Sequence, residues 1–268
     1  MVQAPPELVR HRVPTPLRGV VAGVVGIVED APTPRRRTQP AGTLLPLVVS
    51  YDAPLHVAGH DRQSFVAGFM PRPVVTEFAG RHAAVQVYLS PLGVRRLLGV
   101  PGSALAEQVV DAPELLPALA DLPERLAAAG DWAARFALVD GALLALAAAA
   151  PPDDLLVTWA WERLEASGGR LRVGDLAARS GWSARHLSGR FRDTVGVAPK
   201  VAASVIRFER ASRDLGRLPP AEVAARHGFA DQSHLHRDVV RFAGETPAEH
   251  ARARRPTAHT ALGGHPRE

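Results

Sequence analysis

The chain has 268 residues, of which 46% are hydrophobic and 22% charged, and a formal net charge of +5. That length suits about two domains, and the hydrophobic fraction excludes a globally disordered chain. The sequence contains no cysteine, which excludes disulfide scaffolds, cysteine-ligated zinc, iron–sulfur clusters and thiol catalysis. Its start has no apolar segment typical of a signal peptide, and its longest apolar stretch, 142–150, is far shorter than the roughly 20 residues of a membrane span. We therefore expect a soluble, cytoplasmic protein with no membrane partner.

The positive charge is concentrated in the second half of the chain. Residues 1–150 carry 13 arginines and 13 acidic residues, whereas residues 151–255 carry 17 arginines and Lys200 against 13 acidic residues. A local basic excess is what a phosphate-binding surface needs, because each neutralised phosphate releases counterions. An ordinary solvated face would explain the same excess, so charge alone does not identify the partner.

The first half has a strand-rich part followed by a helical part. Strands are predicted for segments rich in β-branched and aromatic residues between Pro, Gly and Asp, namely GVVAGVVGIV, TLLPLVVSY, SFVAGFM and AAVQVYL. Five or six such short strands favour a small barrel or sandwich. After Pro91 the apolar spacing becomes three and four, which predicts helices over GVRRLLGV, SALAEQVV, PELLPALADL and WAARFALVDGALLALAAAA. Pro151 and Pro152 end this run, and we place a domain boundary there.

Residues 173–195 have the pattern of two short helices joined by a tight turn. Gly181 permits the turn, and Ser183 is a suitable N-cap for the second helix. Such a pair forms a helix-turn-helix motif. The residues expected to face inward are Val173, Leu176 and Ala177 in the first helix and Leu187, Phe191 and Val195 in the second.

The same arrangement repeats at residues 219–242. A helix around AEVAARH is followed by a turn at Gly228 and by a second helix with Leu235 and Val239 facing inward. Between the two motifs, VAASVIRFERASRDLG predicts a single helix that would fix their separation. Its inward face is expected to contain Val201, Val205, Phe208, Ser212 and Leu215.

These segments resemble the DNA-binding domain of the AraC/XylS family of transcription regulators. The resemblance covers residues 155–255 and rests on DLAARSGWSARHLSGRF, RFERASRDL and VAARHGFADQSHLHRDVVRFAGETPAEHAR. Its most specific part is GF-x-DQSH-x-x-R followed by G-x-TP. The resemblance implies an all-α domain at 151–255 that binds duplex DNA with two recognition helices in successive major-groove segments. RNA polymerase is a further partner that the resemblance implies.

Position in the resemblance assigns candidate DNA contacts. The base-reading candidates are Arg185, Ser188 and Gly189 in the first recognition helix and Gln232, Ser233, His236 and Arg237 in the second. Arginine can bond guanine bidentately and glutamine can bond adenine, whereas Ser or His suits base edges or phosphates. The phosphate-contact candidates are Arg190, Arg192 and Arg241. A solvated helix surface explains any one of these side chains, but it does not explain the ordered set.

Two positions depart from the family pattern. Gly189 stands where the family commonly has Arg, and Val240 stands where Lys is common. The neighbouring Arg190 points about 100° further round the helix, so it does not replace the missing arginine. We therefore expect the second motif to carry more of the sequence specificity than the first.

The family resemblance also suggests a role for residues 1–150. The N-terminal domain in such regulators is often a cupin-like β-barrel that binds an effector or dimerises, and residues 35–59 and 65–101 resemble such sensor domains. The expected fold class is therefore α+β, with a small β-barrel or cupin-like domain, β-rich to about residue 90 and helical from about 91, before the all-α domain. The resemblance leaves a small-molecule effector and a homodimer open as alternatives, and no effector-binding residue is assigned. The tail, 256–268, is expected to be disordered.

Three features of the N-terminal half have two interpretations. For His56, His60, Asp61 and His82, a metal site is the less favoured interpretation, and histidines scattered on the surface or in the core are the favoured one. No metal or cofactor is expected. Core packing is favoured over an apolar pocket for Phe65, Phe69, Met70, Phe78 and Tyr88. A solvated loop is favoured over a phosphate contact for the run Arg35–Arg37.

Three functional hypotheses follow, and a sequence-specific regulator is favoured. A cupin-type enzyme is the least supported, because the chain has no P-loop, no HxH-type metal set and no Gly-x-Ser-x-Gly elbow. We expect no enzymatic activity and no catalytic residues. The third hypothesis is a sequence-indifferent DNA-binding protein that has lost specificity through Gly189 and Val240.

Overall fold

The computed structural model describes residues 5–149 and 154–253. An antiparallel sheet followed by helices forms the N-terminal part, and the C-terminal part is helical throughout its described residues, with both helix-turn-helix motifs present. This confirms the predicted α+β class. The predicted boundary at Pro151 and Pro152 and the tail 256–268 lie outside the described residues, and the division into domains stays a prediction.

The sheet is built around two long strands rather than the five or six short ones that the sequence suggested. Antiparallel pairing of β2 with β7 forms its centre, and the strand order is β1-β2-β7-β3-β6-β8, with β4 paired to β5 and β7. The strands are β1 (Glu7–His11), β2 (Val21–Gln39), β3 (Leu45–Ser50), β4 (Leu55–Val57), β5 (His60–Arg62), β6 (Ser64–Ala67), β7 (Val74–Leu89) and β8 (Val109–Asp111).

The interpretation of Arg35–Arg37 as a solvated loop was wrong. All three residues belong to β2 and pair with β7, and Pro32 and Pro34 disturb the ladder only in the register shift between Ala31 and Arg35. The reason is electrostatic as well as geometric. Glu29 in the same strand is only 5% exposed, and Arg37 Nη1 donates to its Oε1 at 2.7 Å. A buried carboxylate needs such a partner, so the arginine run stabilises the sheet.

Short helices follow the sheet and end in one long helix. They are α1 (Gly93–Leu98), α2 (Gly102–Leu105), α3 (Ala112–Leu115), α4 (Leu122–Ala128) and α5 (Trp132–Ala148). The helix predicted over SALAEQVV ends early, because Val109 and Val110 join β8 and pair with β6. Asp131 caps α5 by accepting a hydrogen bond from the Ala134 amide at 2.8 Å. Within the described ranges, every helix is too short or too polar to span a bilayer.

Seven helices form the described C-terminal part. They are α6 (Leu155–Ala166), α7 (Val173–Ser180), α8 (Ala184–Val195), α9 (Pro199–Asp214), α10 (Pro220–His227), α11 (Gln232–Ala243) and α12 (Pro247–Arg252). Of the residues predicted to face inward, Val173, Val201 and Ser212 are only half-buried and the others are buried. The buried face of α9 is wider than predicted, because this helix contacts α6, α8, α10 and α11. It also buries Ala202, Ile206 and Ala211.

The N-terminal and C-terminal parts share one hydrophobic core. A single cluster of buried side chains extends from Leu45 and Val87 of the sheet to Phe191, Phe208 and Phe242 of the C-terminal helices. The helical part is therefore packed against the sheet-bearing part.

Candidate nucleic-acid interface

The first helix-turn-helix motif consists of α7 and α8. Gly181 ends α7 with φ at +73°, a conformation that side-chain-bearing residues rarely adopt. Ser183 then caps α8 by accepting a hydrogen bond from the His186 amide at 3.2 Å. Leu187 and Phe191 are fully buried, and the Phe191 ring stacks on Trp161 of α6 with centroids 6.2 Å apart. The opposite face of α8 is consequently turned outward.

The second motif, α10 and α11, is built in the same way. Gly228 ends α10 with φ at +75°, and Asp231 caps α11 by accepting from the His234 amide at 2.6 Å. Leu235 and Val239 are fully buried, as predicted. The two recognition helices, α8 and α11, are thus oriented by the same combination of a glycine turn, an oxygen cap and an apolar inner face.

The base-reading candidates lie on the outer faces of these two helices. In α8, Arg185 is exposed, Ser188 is half-buried, and Gly189 is exposed with open space where a Cβ would stand. In α11 all four candidates are exposed, namely Gln232, Ser233, His236 and Arg237. Each set lies in the half of its helix nearest the N-cap, which in helix-turn-helix proteins contacts base edges. Their contact with bases stays a prediction.

The three phosphate candidates have different surroundings. Arg192 is exposed, and the guanidinium of Arg241 lies 5.0 Å from the centre of the Phe242 ring. Arg190 is paired within the protein, because its Nε and Nη2 donate to Asp154 Oδ2 at 3.0 and 2.7 Å. Asp154 also caps α6 by accepting from the Val157 amide. Arg190 would have to leave this carboxylate before it could contact a phosphate.

The helix between the motifs holds the second one through a partly buried pair that sequence reasoning missed. Arg207 of α9 lies 3.9 Å from Asp238 of α11, and its guanidinium stands over the Phe229 ring at 5.1 Å. Burial lowers the pKa of Arg207, and the charge of Asp238 partly opposes that shift. Both residues lie in segments that carry the family resemblance, but those segments do not show that the two side chains meet, so only the fold reveals the pair.

A second pair connects α9 with α10. His227 Nε2 lies 2.8 Å from Asp214 Oδ2, and this hydrogen bond is the main reason why the pKa of Asp214 lies below its usual value. The charge of Arg226, 3.6 Å away, acts in the same direction. The second motif is therefore fastened to the helix between the motifs at both of its own helices.

Residues of the sheet-bearing part contact α9 and the second motif. Glu209 of α9 accepts hydrogen bonds from the Thr43 amide and hydroxyl at 2.9 and 2.8 Å. The Ala41 amide donates to the Phe242 carbonyl at 2.7 Å, near the C-terminal end of α11. The sequence gives no signal for these contacts, because they join positions more than 160 residues apart.

The sheet-bearing part also contacts the first motif, through α1 and α2. Gly102 of α2 packs so closely on α8 that a Cβ there would overlap the Thr194 carbonyl oxygen. Beside this contact, Asp193 accepts a hydrogen bond from Ser103 at 3.2 Å and lies 3.6 Å from Arg95. The N-terminal part therefore contacts both recognition helices at their C-terminal ends.

The N-terminal candidates are not brought together. His56 pairs with Asp61 across the β4–β5 hairpin at 2.7 Å, whereas His82 is buried, faces the Ala53 carbonyl and has a pKa lowered by burial. Within the described ranges, no three metal-ligating side chains form a group that could hold an ion. The aromatic candidates are divided among separate core clusters and line no common pocket: Phe69 is in one, Phe65 and Phe78 are in another and Tyr88 is in a third, while Met70 is half-buried.

Comparison with known proteins supports this assignment of the C-terminal part. Residues 176–253 match the family described as "Helix-turn-helix domain". The chain is 37% identical over 89 residues to the HTH-type transcriptional regulator Rv1931c of Mycobacterium tuberculosis, a match that covers 32% of this chain and 34% of that relative. The chain thus spans about a third of the length of this curated relative.

The chain is also similar to two solved structures. The C-terminal domain of AraT, a response regulator from Geobacillus stearothermophilus, is 23% identical, with a TM-score of 0.36 over 40% of this chain and 92% of that chain. Unsaturated fatty acid bound wild-type ToxT from Vibrio cholerae is 10% identical, with a TM-score of 0.49 over 85% of this chain and 94% of that chain. Both TM-scores are below 0.5, so the assignment rests on the sequence matches and the two helix pairs.

Two capped helix pairs with open outer faces define a DNA-binding domain of the helix-turn-helix class. The domain match and the paired motifs, including the GF-x-DQSH-x-x-R segment, support the same class independently of the geometry. Residues 176–253 therefore contain a helix-turn-helix domain, in agreement with the AraC/XylS type of DNA-binding domain that the sequence indicated.

Proposed function

We propose that the protein is a sequence-specific transcription regulator that places α8 and α11 in successive major-groove segments about one DNA turn apart. The observation that carries this proposal is the pair of recognition helices, both capped, both exposing the N-terminal half of the outer face and both in contact with α9. Binding near a promoter would then alter the recruitment of RNA polymerase. The protein would act in the cytoplasm, by binding and not by catalysis.

The proposed roles of the individual residues follow their exposure. Arg237 and Gln232 would read guanine and adenine in the second segment, with Ser233 and His236 beside them. In the first segment Arg185 and Ser188 would read bases, whereas Gly189 presents only backbone. Arg192 and Arg241 would contact phosphates and supply affinity without sequence choice. Arg190 would join them only after it leaves Asp154.

We further propose that residues 1–150 control the DNA-binding domain, residues 151–255, in response to a small-molecule effector or a second copy of the chain. The support is the set of contacts that the N-terminal part makes with both motifs, through Ala41 with Phe242 of α11 and through α2 with α8. A change in the sheet-bearing part would reach both recognition helices through these contacts. No residue of an effector site is assigned.

Selection of bound fragments from a genomic DNA library at about 150 mM salt tests the main proposal, because non-specific electrostatic binding is weakened there. We expect enrichment of a shared site that spans two major-groove segments. Conserved positions over one segment only would mean that the first motif does not read sequence. Failure of both the full chain and the isolated 151–255 domain to enrich any site would overturn the specific-regulator proposal.

Binding without sequence preference is the second candidate function, and two observations favour it. Gly189 offers no side chain to a base, and Val240 stands where the family commonly has Lys. Equal affinity for the enriched site and for a scrambled duplex of the same length would support this candidate. A ratio of about 1,000 or more would support specific regulation.

A further inference from the structure

An exposed aromatic pair stands at the beginning of the first recognition helix. Trp182 lies between Gly181 and the cap residue Ser183, and 52% of its surface is exposed. Its indole stacks on the imidazole of His186, with centroids 4.4 Å apart and ring planes at 17°. Tryptophan is enriched where a protein meets a partner, because it combines a large apolar surface with an N–H donor. The pair therefore offers a flat apolar surface that suits contact with a partner.

Hydrogen bonds hold both residues in place before any partner arrives. The Trp182 amide donates to Ser180 Oγ at 3.3 Å, and that hydroxyl donates in turn to the Ala177 carbonyl at 2.9 Å. The His186 amide donates to the cap oxygen of Ser183 at 3.2 Å. These bonds fix the backbone of both residues, and the stacking of the two rings orders their side chains, so less conformational entropy would be lost when the flat surface is covered.

The surroundings of the pair are basic. His186 lines a shallow open groove on α8 together with Ser183, Arg185, Gly189 and Arg190. Arg179, at the end of α7, is exposed on the other side of the turn. A flat apolar surface bordered by arginines suits a partner that alternates apolar rings with negative charge, which describes the sugar–phosphate backbone of DNA.

We propose that the Trp182–His186 pair packs against deoxyribose of the DNA strand that borders the groove entered by α8. This inference rests on the proposed function and names a contact within the same interface. His186 lies about 100° round the helix from Arg185, so the pair flanks the base-reading row and does not belong to it. Its contribution to affinity is then independent of sequence.

Binding of full-length variants to two labelled duplexes tests the inference. One duplex carries the enriched site and the other a scrambled sequence, and affinity is measured by fluorescence anisotropy between 50 and 200 mM salt. Trp182→Ala is expected to weaken binding roughly tenfold on both duplexes, as expected for loss of a half-covered indole. The slope of log affinity against log salt is expected to stay unchanged, whereas Arg192→Ala reduces it by about 0.9.

Two further variants separate a DNA contact from a loss of structure. Trp182→Phe keeps an aromatic ring beside His186. It is expected to weaken binding by about half as much as Trp182→Ala does, on a logarithmic scale of affinity. Leu155→Ala removes another exposed apolar side chain of the same domain, 79% exposed on α6, and is expected to leave affinity unchanged. Thermal unfolding of each variant identifies any that is not folded.

Three results would overturn the inference. Wild-type affinity of the folded Trp182→Ala protein on both duplexes would exclude any contact. A loss confined to the enriched site, and abolished when its thymines are replaced by deoxyuridine, would assign Trp182 to a thymine methyl group. If the wild-type protein binds neither duplex, the proposed function fails as well. If the wild-type protein and the Trp182→Ala variant bind DNA with equally high affinity, only the sugar contact is refuted.

Discussion

The two helix-turn-helix motifs have the same local construction but different attachments. In the first motif, α8 packs on α6 through Phe191 and Trp161 and is held from the N-terminal part at Asp193. In the second motif, α11 is tied to α9 by Arg207 and Asp238. One recognition helix is thus held largely by the sheet-bearing part and its neighbour α6, and the other largely by the helix between the motifs.

The outer faces of the two recognition helices differ as well, because α11 exposes more base-reading side chains than α8 does. The outer face of α11 presents Gln232, Ser233, His236 and Arg237, all of them exposed. The face of α8 presents one exposed charged candidate, Arg185, with Ser188 half-buried. We infer a division of labour in which the second motif supplies most of the base reading. The first motif would connect the N-terminal part to DNA. The predictions below test each half of this division.

The largest expected effect concerns the contact between α2 and the first motif. In Gly102→Ala, the added Cβ would overlap the Thr194 carbonyl oxygen and stand 2.8 Å from the Gly196 amide nitrogen. Backbone atoms cannot rotate away, so we expect the free energy of unfolding in urea to fall by roughly 2–3 kcal/mol, the upper part of the range for overpacking.

Gly189→Ala is the matched control, since it adds the same methyl group to α8, the helix that Gly102 contacts, at a position where no heavy atom beyond its chain neighbours and its own helix backbone lies within 4 Å. Alanine is the better helix former, so this variant is expected to gain about 0.5–1 kcal/mol. Equal stability of the two variants would show that α2 does not pack on α8 in solution.

The division of base reading is tested by a pair of arginines. Arg237→Ala is expected to cost about 1–3 kcal/mol of binding free energy at the enriched site, as expected for loss of a bidentate guanine contact. The same type of substitution in the first recognition helix, Arg185→Ala, is expected to cost less binding free energy. Anisotropy titrations on the enriched and scrambled duplexes measure both.

Two outcomes would contradict this prediction. An equal loss of Arg237→Ala affinity on both duplexes would show that Arg237 holds a phosphate and reads no base. A larger loss for Arg185→Ala than for Arg237→Ala would reverse the division of labour between the motifs.

The attachment of α9 to the sheet-bearing part is tested at Glu209. Its carboxylate accepts two hydrogen bonds from Thr43, which is only 6% exposed. Glu209→Ala leaves both donors buried without that partner, so we expect a loss of about 1–2 kcal/mol in the free energy of unfolding. Glu162→Ala removes an exposed carboxylate from α6 and is expected to stay within about 0.5 kcal/mol of wild type. Identical stability of the two variants would refute a contribution of this contact.

The motifs were predictable from sequence because their determinants are local. Gly181, Ser183 and the stripe ending at Val195 specify a turn, a cap and an inner face within about 15 residues. The outward positions of Arg185 and Arg237 follow once the inner faces are fixed. The fold class of the N-terminal half was predictable on similar grounds, from β-branched segments between breakers.

The remaining features depend on contacts between distant positions. A solvated loop was predicted for Arg35–Arg37 because prolines flank the run, and the prediction failed because Glu29 and β7 supply partners that no local pattern reveals. The pairing of Arg190 with Asp154 could not be predicted for the same reason. An exposed arginine and a cap residue look independent until the fold brings them together.

The smallest expected effect is a pH dependence confined to the second motif. The hydrogen bond from His227 and the neighbouring arginines hold the pKa of Asp214 below its unfolded value of about 3.9. A carboxyl whose pKa is lowered by folding stabilises the protein above the unfolded pKa, and this stabilisation is lost as pH falls through the folded pKa. The Asp214 side chain is 24% exposed, so its contribution is expected to be below about 1 kcal/mol.

Urea unfolding of wild type and Asp214→Asn at pH 7, 5 and 3 measures this contribution, because the other carboxyl groups cancel in the difference. We expect the variant to be less stable at pH 7 and 5, and the deficit to shrink toward pH 3. Asp175→Asn, an exposed change in the first helix of the first motif, is expected to show no such trend. A deficit of constant size from pH 7 to pH 3 would mean that the charge of Asp214 does not fasten α10 to α9, and the two motifs would then differ less in their attachment than the structure indicates.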